Sequence, residues 1–174
     1  RLVRFIEGNN LKPVALLNTH GHFDHIMGNA FVAGRWSLPT MIHPDDKPHL
    51  ERAKQYSEMF GYSIEQPPLN TIELNEGDVI KFGNSVLKVI HTPGHTRGGV
   101  SFYSEEDRFV ITGDALFAGS IGRTDLPGGD YEQLMESLLS KIMKLGEDYT
   151  VYPGHGPVTT IEKELTTNPF LRYE

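Results

Sequence analysis

The sequence predicts an α/β protein in which paired strands form a layered sandwich with helices outside. Two hairpin patterns occupy the centre of the chain, and helical patterns flank them on both sides. No low-complexity linker divides the 174 residues, and a hydrophobic content of 38% suffices for a buried core. We therefore expect a single domain over residues 1–174.

Helical patterns dominate the first 71 residues. The apolar residues from Leu2 to Ile6 have helical spacing, and Gly8 marks the end of this first helix. An apolar run at 14–18 predicts a strand. Beyond it we expect a helix beginning in 25–32, a short strand at 41–43, a mostly polar helix over 44–60 and an irregular connection over 61–71.

The central part of the chain changes to strand patterns. Runs at 79–82 and 86–90 flank a Gly-Asn-Ser turn, and runs at 100–103 and 109–112 flank a charged turn, so each pair predicts a hairpin. Apolar residues at helical spacing from Tyr131 to Leu145 predict a core-facing helix, with Asp130 as its N-cap. A last strand is expected at 149–152.

Composition excludes several kinds of partner. The sequence has no cysteine, so a bound metal must be held by His and Asp. The net charge of −7 disfavours nucleic acid, because binding to a phosphate backbone depends on Lys and Arg. Since no apolar run approaches the length of a membrane span, we expect a cytoplasmic protein with no nucleic-acid or membrane partner.

A cluster of histidines follows the first predicted strand. His20, His22 and His25 lie with Asp24 within six residues, directly after the apolar run at 14–18. Neutral imidazole is a common transition-metal ligand, and carboxylates complete hydrolytic zinc sites. The spacing favours a metal-binding loop at the end of a strand over a solvated polar loop, which requires no fixed spacing.

Three further ligand-type residues also follow predicted strands. His95 and His155 each come after a Pro-Gly turn, and Asp114 follows the strand at 109–112. The set therefore has five histidines and two aspartates, whereas one hydrolytic zinc takes about three protein ligands. Seven ligands suit two metal ions with a shared carboxylate. Asp114 is the expected bridge, because its strand lies between the two Pro-Gly-His loops in sequence.

These segments resemble the metallo-β-lactamase superfamily, specifically its glyoxalase II-like (hydroxyacylglutathione hydrolase-like) branch. The resemblance rests on Thr-His-Gly-His-Phe-Asp-His at 19–25, Thr-Pro-Gly-His-Thr at 92–96, Gly-Asp at 113–114 and Pro-Gly-His-Gly at 153–156. It implies an αββα sandwich of the metallo-β-lactamase type. It also implies that one metal is held by His20, His22, His95 and Asp114, and the other by Asp24, His25, Asp114 and His155.

The resemblance implies a thioesterase that cleaves small-molecule S-acyl thiols by attack of a metal-bridging hydroxide. The expected cofactors are two divalent metal ions, zinc first, with iron or manganese as alternatives. Asp24 and Asp114 would be the catalytic carboxylates, and Asp24 would relay the proton. Arg123, Phe117 and Arg97 are the expected substrate-binding residues, although an ion pair between Arg123 and Asp125 explains that arginine equally well.

Two other functions remain open. The segment Gly122-Arg123-Thr124-Asp125 also resembles persulfide dioxygenases, which would use a single iron. A non-catalytic, metal-holding interaction module is the second alternative. Asp114 stands where many antibiotic-degrading relatives have Cys, which argues against a β-lactamase. His43, His49 and His91 are expected outside the metal site.

The two ends of the chain carry expectations of their own. The chain starts at Arg1 with a helix, whereas relatives carry strands before it, so we expect missing N-terminal strands. Only 19 residues follow His155, so we expect no C-terminal glutathione-binding helical domain and broad selectivity for the thiol part. A homo-oligomer is compatible with the sequence.

Overall fold

The computed structural model describes residues 1–172, in which two facing sheets are covered by helices on their outer sides. The helices are α1 (Leu2–Gly8), α2 (Phe23–Ile26), α3 (Asn29–Trp36), α4 (Lys47–Glu51), α5 (Ala53–Met59), α6 (Tyr131–Ser140) and α7 (Ile161–Thr167), with 3₁₀ turns at Pro44–Asp46 and Ile142–Lys144. This arrangement confirms the predicted αββα class.

The smaller sheet has three parallel strands in the order β1-β2-β3, namely Leu16–Leu17, Thr40–Ile42 and Ile72–Glu73. The larger sheet has the order β11-β10-β7-β6-β5-β4. Its strands are β4 (Val79–Phe82), β5 (Ser85–His91), β6 (Val100–Ser104), β7 (Phe109–Gly113), β10 (Thr150–Pro153) and β11 (Thr159–Thr160). A small hairpin of β8 (Leu116–Phe117) and β9 (Ser120–Ile121) follows β7.

Three apolar clusters hold the layers together. Between the sheets, Leu74, Val89 and Phe102 are at most 2% exposed. The apolar stripe of α6, with Leu134 and Leu138 fully buried, packs on the other face of the larger sheet as predicted. A third cluster of Ile26, Ile42, Leu50 and Ala53 lies between the smaller sheet and helices α2, α4 and α5.

The predicted helix over 44–60 is wrong as one continuous element. It is a 3₁₀ turn followed by α4 and α5. Pro48 has no N–H to bond the carbonyl of residue 44, so an α-helix cannot run unbroken from Pro44. Strand β1 is also shorter than the predicted 14–18, and Val14 is half exposed.

The two predicted hairpins and the N-cap of α6 are confirmed. Phe82 pairs with Ser85 around a two-residue turn, and the side chain of Asp130 accepts a hydrogen bond from the Gln133 N–H at 3.0 Å. Sequence patterns missed β3, β8, β9, β11 and α7. Within residues 1–172, none of the helices combines the length and apolar character that crossing a membrane requires.

Candidate metal centre

The seven predicted ligands come from four connections that follow β1, β5, β7 and β10. In the larger sheet β10 is parallel to β7, and β5 is related to β7 through two antiparallel pairings, so these three strands run in the same direction. Their carboxyl ends therefore lie along one edge of the sheet. The loop after β1 brings the histidine cluster of the smaller sheet to the same edge.

One group of ligand atoms consists of three histidines. The ligand nitrogens of His20, His22 and His95 all lie within 4.8 Å of one another. His22 Nδ1 is 2.9 Å from His95 Nε2, and His20 and His95 are buried, at 2% and 6% exposure. A hydrolytic zinc site takes about three protein ligands, and these three nitrogens supply that number.

A second group combines Asp24, His25 and His155, again with ligand atoms within 4.8 Å of one another. His155 Nε2 is 3.1 Å from both Asp24 Oδ2 and His25 Nε2. This group is more open to solvent, because the side chain of His155 is 57% exposed and that of Asp24 is 39% exposed.

The Asp114 carboxylate lies between the two groups. Its Oδ1 is 3.3 Å from His25 Nε2, and its Oδ2 is 3.5 Å from His155 Nε2 and 3.7 Å from His95 Nε2. His20 forms a further ligand group with His25 and Asp114. The two groups thus adjoin at one carboxylate, which is the geometry that the bridging prediction requires.

Two buried atoms of this cluster lack hydrogen-bond partners among residues 1–172, namely His20 Nε2 and Asp114 Oδ1. The latter is near His25 without forming a bond of acceptable geometry. A buried polar atom without a partner is costly, and a metal ion satisfies both a nitrogen and a carboxylate oxygen. The residues therefore fit a divalent metal, and His with Asp suits zinc, iron or manganese.

Hydrogen bonds on the far side of the rings orient two of the histidines. His95 Nδ1 lies 2.7 Å from the carbonyl oxygen of Arg123, so this nitrogen carries the proton and donates it, leaving Nε2 as the ligand atom. His20 Nδ1 lies 3.1 Å from the Thr19 hydroxyl, which leaves the unpartnered Nε2 facing the cluster.

Burial favours the neutral form of two histidines of the first group, His20 and His22. It lowers the pKa of His20 well below its usual value and, together with the neighbouring His95, lowers the pKa of His22 to about 4. Neutral imidazole is the form that binds a metal. For His25, burial acts to lower the pKa, but the adjacent carboxylates of Asp114 and Asp24 outweigh it and raise the pKa.

Asp114 remains ionised despite its burial. Burial acts to raise the pKa of this carboxyl group, but its contact with His25 and the nearby His95 and His155 outweigh that effect and lower the pKa. An ionised carboxylate is the form that ligates a metal.

The predicted substrate-binding residues have different surroundings. Phe117 is half-buried, and its ring lies 6.2 Å from that of His155. Arg123 forms a bidentate ion pair with Asp125 at 2.7 and 2.8 Å, the alternative that the sequence left open. Arg97 is exposed and lines a neighbouring cleft with His91.

The three remaining histidines separate into two environments. His43 accepts a hydrogen bond from the Asp45 N–H, which caps the 3₁₀ turn, and its ring stacks on His91 at 4.2 Å. His91 contacts the Arg97 carbonyl rather than a ligand side chain. His49 is nearer the centre than its sequence position indicated, because its ring lies 5.3 Å from that of His22.

The sequence patterns did not place His49 beside the centre, and they did not identify Asp46, a buried carboxylate that accepts hydrogen bonds from both loops of the three-histidine group. Asp46 follows the predicted strand at 41–43, but neither it nor His49 belongs to a His-x-His or Pro-Gly-His pattern. Only a contact across the fold identifies them.

Residues 2–155 match the family model described as the metallo-beta-lactamase superfamily. The probable metallo-hydrolase YqgX of Bacillus subtilis is 39% identical over 172 residues, covering 98% of this chain and 82% of YqgX. The hydroxyacylglutathione hydrolase GloC of Haemophilus influenzae is 37% identical over 173 residues, with the same two coverages of 98% and 82%.

Solved structures give a consistent fold. TTHA1623 in a di-iron-bound form has a TM-score of 0.91 and 42% identity, covering 98% of this chain and 83% of that protein. BLEG-1, a B3 metallo-beta-lactamase, has a TM-score of 0.89 and 39% identity, with coverages of 98% and 82%. ETHE1 from Myxococcus xanthus has a TM-score of 0.77 and 28% identity, with coverages of 97% and 67%.

Proposed function

Because this chain belongs to the metallo-beta-lactamase superfamily, we propose that it is a metal-dependent hydrolase that cleaves the thioester bond of small S-acyl thiols. One observation carries the proposal: two ligand groups adjoin, with the Asp114 carboxylate within 3.7 Å of histidines from both. The similarity to GloC, a hydroxyacylglutathione hydrolase, supports a thioester as the bond that is cleaved.

The proposed ligand sets follow the two groups. His20, His22 and His95 would hold one ion, the group of Asp24, His25 and His155 would hold the other, and Asp114 would contribute to both. When bound, a pair of divalent cations supplies a water with a pKa lowered toward about 7 and an electrophile for the substrate carbonyl. We propose zinc first, while the di-iron form of TTHA1623 supports iron as an alternative.

We propose that Asp24 moves the proton during the reaction. Its side chain is 39% exposed, whereas that of Asp114 is 11% exposed, so Asp24 is the carboxylate that a substrate can approach. Oδ2 contacts His155, which leaves Oδ1 to accept the proton as water adds to the carbonyl. The same oxygen then returns the proton to the departing sulfur, so that a neutral thiol leaves.

The aromatic ring of Phe117 borders the more exposed side of the centre, where it lies beside His155. On the opposite side, His20 and His95 are buried, which keeps bulk water from that face. A substrate therefore approaches from the side of Asp24 and His155, and Phe117 would contact its acyl or thiol part.

The test is a thioester assay on metal-loaded protein. A hydroxyacylglutathione and acyl esters of two unrelated thiols are followed by loss of thioester absorbance, with Asp114→Asn as the inactive variant and Asp78→Asn as a remote matched control. We expect turnover that chelation abolishes and that Asp78→Asn retains. Absence of turnover with zinc, iron and manganese would contradict the proposal and favour a non-catalytic metal-holding module.

A persulfide dioxygenase is the second candidate, because ETHE1 has the same fold at 28% identity. The same preparations are tested for oxygen consumption with a persulfide of glutathione. Oxygen uptake without thioester turnover would replace the thioesterase proposal. A β-lactam is included as a third substrate because of the similarity to BLEG-1.

A further inference from the structure

We propose that Asp46 is a positioning residue that holds the three-histidine group in the arrangement needed for one of the two metal ions. The proposal depends on the metal-binding part of the proposed function and not on the identity of the substrate. Its test measures zinc affinity, so its failure is distinguishable from the absence of thioester turnover.

The Asp46 carboxylate is completely buried and accepts three hydrogen bonds. Oδ2 accepts from the Gly21 N–H and from the Thr96 hydroxyl, both at 2.8 Å, and Oδ1 accepts from the Gly98 N–H at 2.7 Å. Among residues 1–172, no basic side chain forms an ion pair with this carboxylate. Its negative charge is therefore compensated by donors from two loops rather than by a cation.

The donors lie beside the three histidines. Gly21 separates His20 from His22, and Thr96 directly follows His95. The two loops come from different sheets, one after β1 and the other after β5. Asp46 thus links across the sandwich the two backbone segments that supply this group. None of its donors adjoins Asp24, His25 or His155 in sequence.

Both loops are packed tightly against Asp46. A Cβ atom placed on Gly21 would be 2.9 Å from the Asp46 carbonyl oxygen, and one on Gly98 would be 2.7 Å from the Asp46 nitrogen. These distances leave no room for a side chain, so the two glycines allow the backbone to reach the carboxylate. Loss of one hydrogen bond cannot be compensated by water without moving a loop.

An asparagine at this position has almost the same volume but only one acceptor oxygen. If its oxygen replaces Oδ2, the amide NH₂ faces the Gly98 N–H. If its oxygen replaces Oδ1, the NH₂ faces the Gly21 N–H. Either orientation places two donors together and leaves a buried group unsatisfied, so one of the two loops must shift.

The experiment weakens one ligand group at a time by removing a single histidine from it. Zinc affinity of the full chain is measured by competition with a chromophoric chelator in two backgrounds, His155→Ala and His22→Ala. Asp46→Asn is then added to each. We expect zinc affinity to fall about 10–100-fold in the His155→Ala background, the range typical for residues that orient metal ligands. In the His22→Ala background we expect a change of less than about threefold.

Glu164 provides a matched control. It is also completely buried and accepts hydrogen bonds from the Gly119 N–H, the Thr159 hydroxyl and the Asn168 amide, at 2.8, 2.6 and 2.8 Å. Glu164→Gln therefore destabilises the fold by a similar mechanism, without touching the loops of the three histidines. We expect it to leave zinc affinity in the His155→Ala background within about threefold.

Three results would overturn the proposal: an unchanged affinity in the His155→Ala background, equal losses in both backgrounds, or an equal loss with Glu164→Gln. If Asp46→Asn does not fold, Thr96→Val removes a single hydrogen bond at nearly constant volume and is tested in the same two backgrounds. We expect a smaller loss that is again confined to the His155→Ala background, and a loss shared by both backgrounds would contradict the proposal.

Discussion

At the scale of single residues, the bridging position of Asp114 distinguishes it from the other carboxylate of the centre. Asp114 is within 3.7 Å of His25, His95 and His155, whereas Asp24 contacts only the second group. We predict that Asp114→Ala loses most of both metal ions and that Asp24→Ala loses mainly one. Elemental analysis after dialysis measures this, and two retained equivalents in Asp114→Ala would refute the bridging assignment.

Arg123 serves as a test of substrate recognition, because Asp125 holds its guanidinium group in a bidentate ion pair. We predict that a substrate carboxylate takes the place of Asp125. Arg123→Ala should then raise KM about tenfold, because the variant loses a bidentate, charge-assisted contact with the substrate carboxylate. Asp125→Asn frees the guanidinium and should not raise KM. Steady-state kinetics on thioesters with and without a carboxylate test this substrate contact. If the ion pair is purely structural, Arg123→Ala and Asp125→Asn will change KM alike.

His43 predicts a pH dependence of stability. Burial and the stacked ring of His91 lower the pKa of His43 below 6.5. At a pH between the ordinary pKa of the unfolded chain and the lowered pKa of the folded chain, the unfolded chain binds more protons. Stability therefore falls as the pH decreases through this range. His43→Asn keeps an acceptor for the Asp45 N–H and removes the titrating ring.

We therefore expect the free energy of unfolding to fall less for His43→Asn than for the original chain when the pH is lowered. A range from about pH 7.5 to about pH 5 is suitable, because the ordinary pKa of histidine is about 6.5. Urea unfolding of both proteins in excess chelator measures the difference and cancels the contribution of the metal ligands. Parallel pH profiles would contradict the prediction.

At the scale of elements, helix α6 is packed directly against the turn that carries His95. Gly94 has a φ of +128°, and a Cβ there would be 2.3 Å from the Leu134 nitrogen. The Asp130 N–H also donates to the Gly94 carbonyl at 2.8 Å. The start of the helix and the metal-binding turn therefore form one unit, and a side chain at residue 94 must displace one of them.

Gly94→Ala should therefore destabilise the protein more than Gly77→Ala, its matched control. Gly77 also has a positive φ, of +84°, but open space around its Cβ position. Backbone strain in such a sparsely populated conformation costs about 1–3 kcal/mol in each variant. Overpacking against Leu134 adds about 1–3 kcal/mol to Gly94→Ala. Urea unfolding gives both values, and metal analysis should show a loss only for Gly94→Ala. Equal stabilities would mean that α6 moves freely away from the turn.

At the scale of the whole molecule, the metal centre joins the two sheets. Its seven residues come from the loop after β1 in the smaller sheet and from the ends of three strands of the larger sheet. Ions that bind only the folded chain therefore stabilise the sandwich as a unit.

We predict that chelation lowers the thermal midpoint. At a free metal concentration 100 times the Kd, binding stabilises the fold by about 2.7 kcal/mol per ion. For a protein of this size that corresponds to a decrease of about 5–10 °C on removal of one ion. Differential scanning calorimetry with and without chelator measures it. Asp114→Ala is the control, and chelation should lower its thermal midpoint much less. An equal decrease in this variant would mean that the stabilising metal binds elsewhere.

The periodic parts of the fold were predictable because each depends on neighbours in sequence. The hairpins at residues 79–90 and 100–112 and the stripe of α6 follow from alternation and helical spacing. The strands β3, β8, β9 and β11 have two residues each, too few for a pattern to form. The mostly polar helix predicted over 44–60 is wrong as one element, because Pro48 cannot donate the backbone hydrogen bond that an α-helix starting at Pro44 requires.

The sequence by itself determined the family and the seven residues that the fold collects at one edge. Each of these His and Asp residues follows a predicted strand and lies in a short motif with a nearby glycine, so neighbouring residues in sequence are enough to identify it. Only the tertiary structure decided what surrounds them. Asp46 and His49 reach the centre through contacts with Gly21 and His22, more than 20 residues away. Arg97 lies in the neighbouring cleft. Hydrogen bonds and burial of this kind depend on how the two sheets pack, which no local pattern encodes.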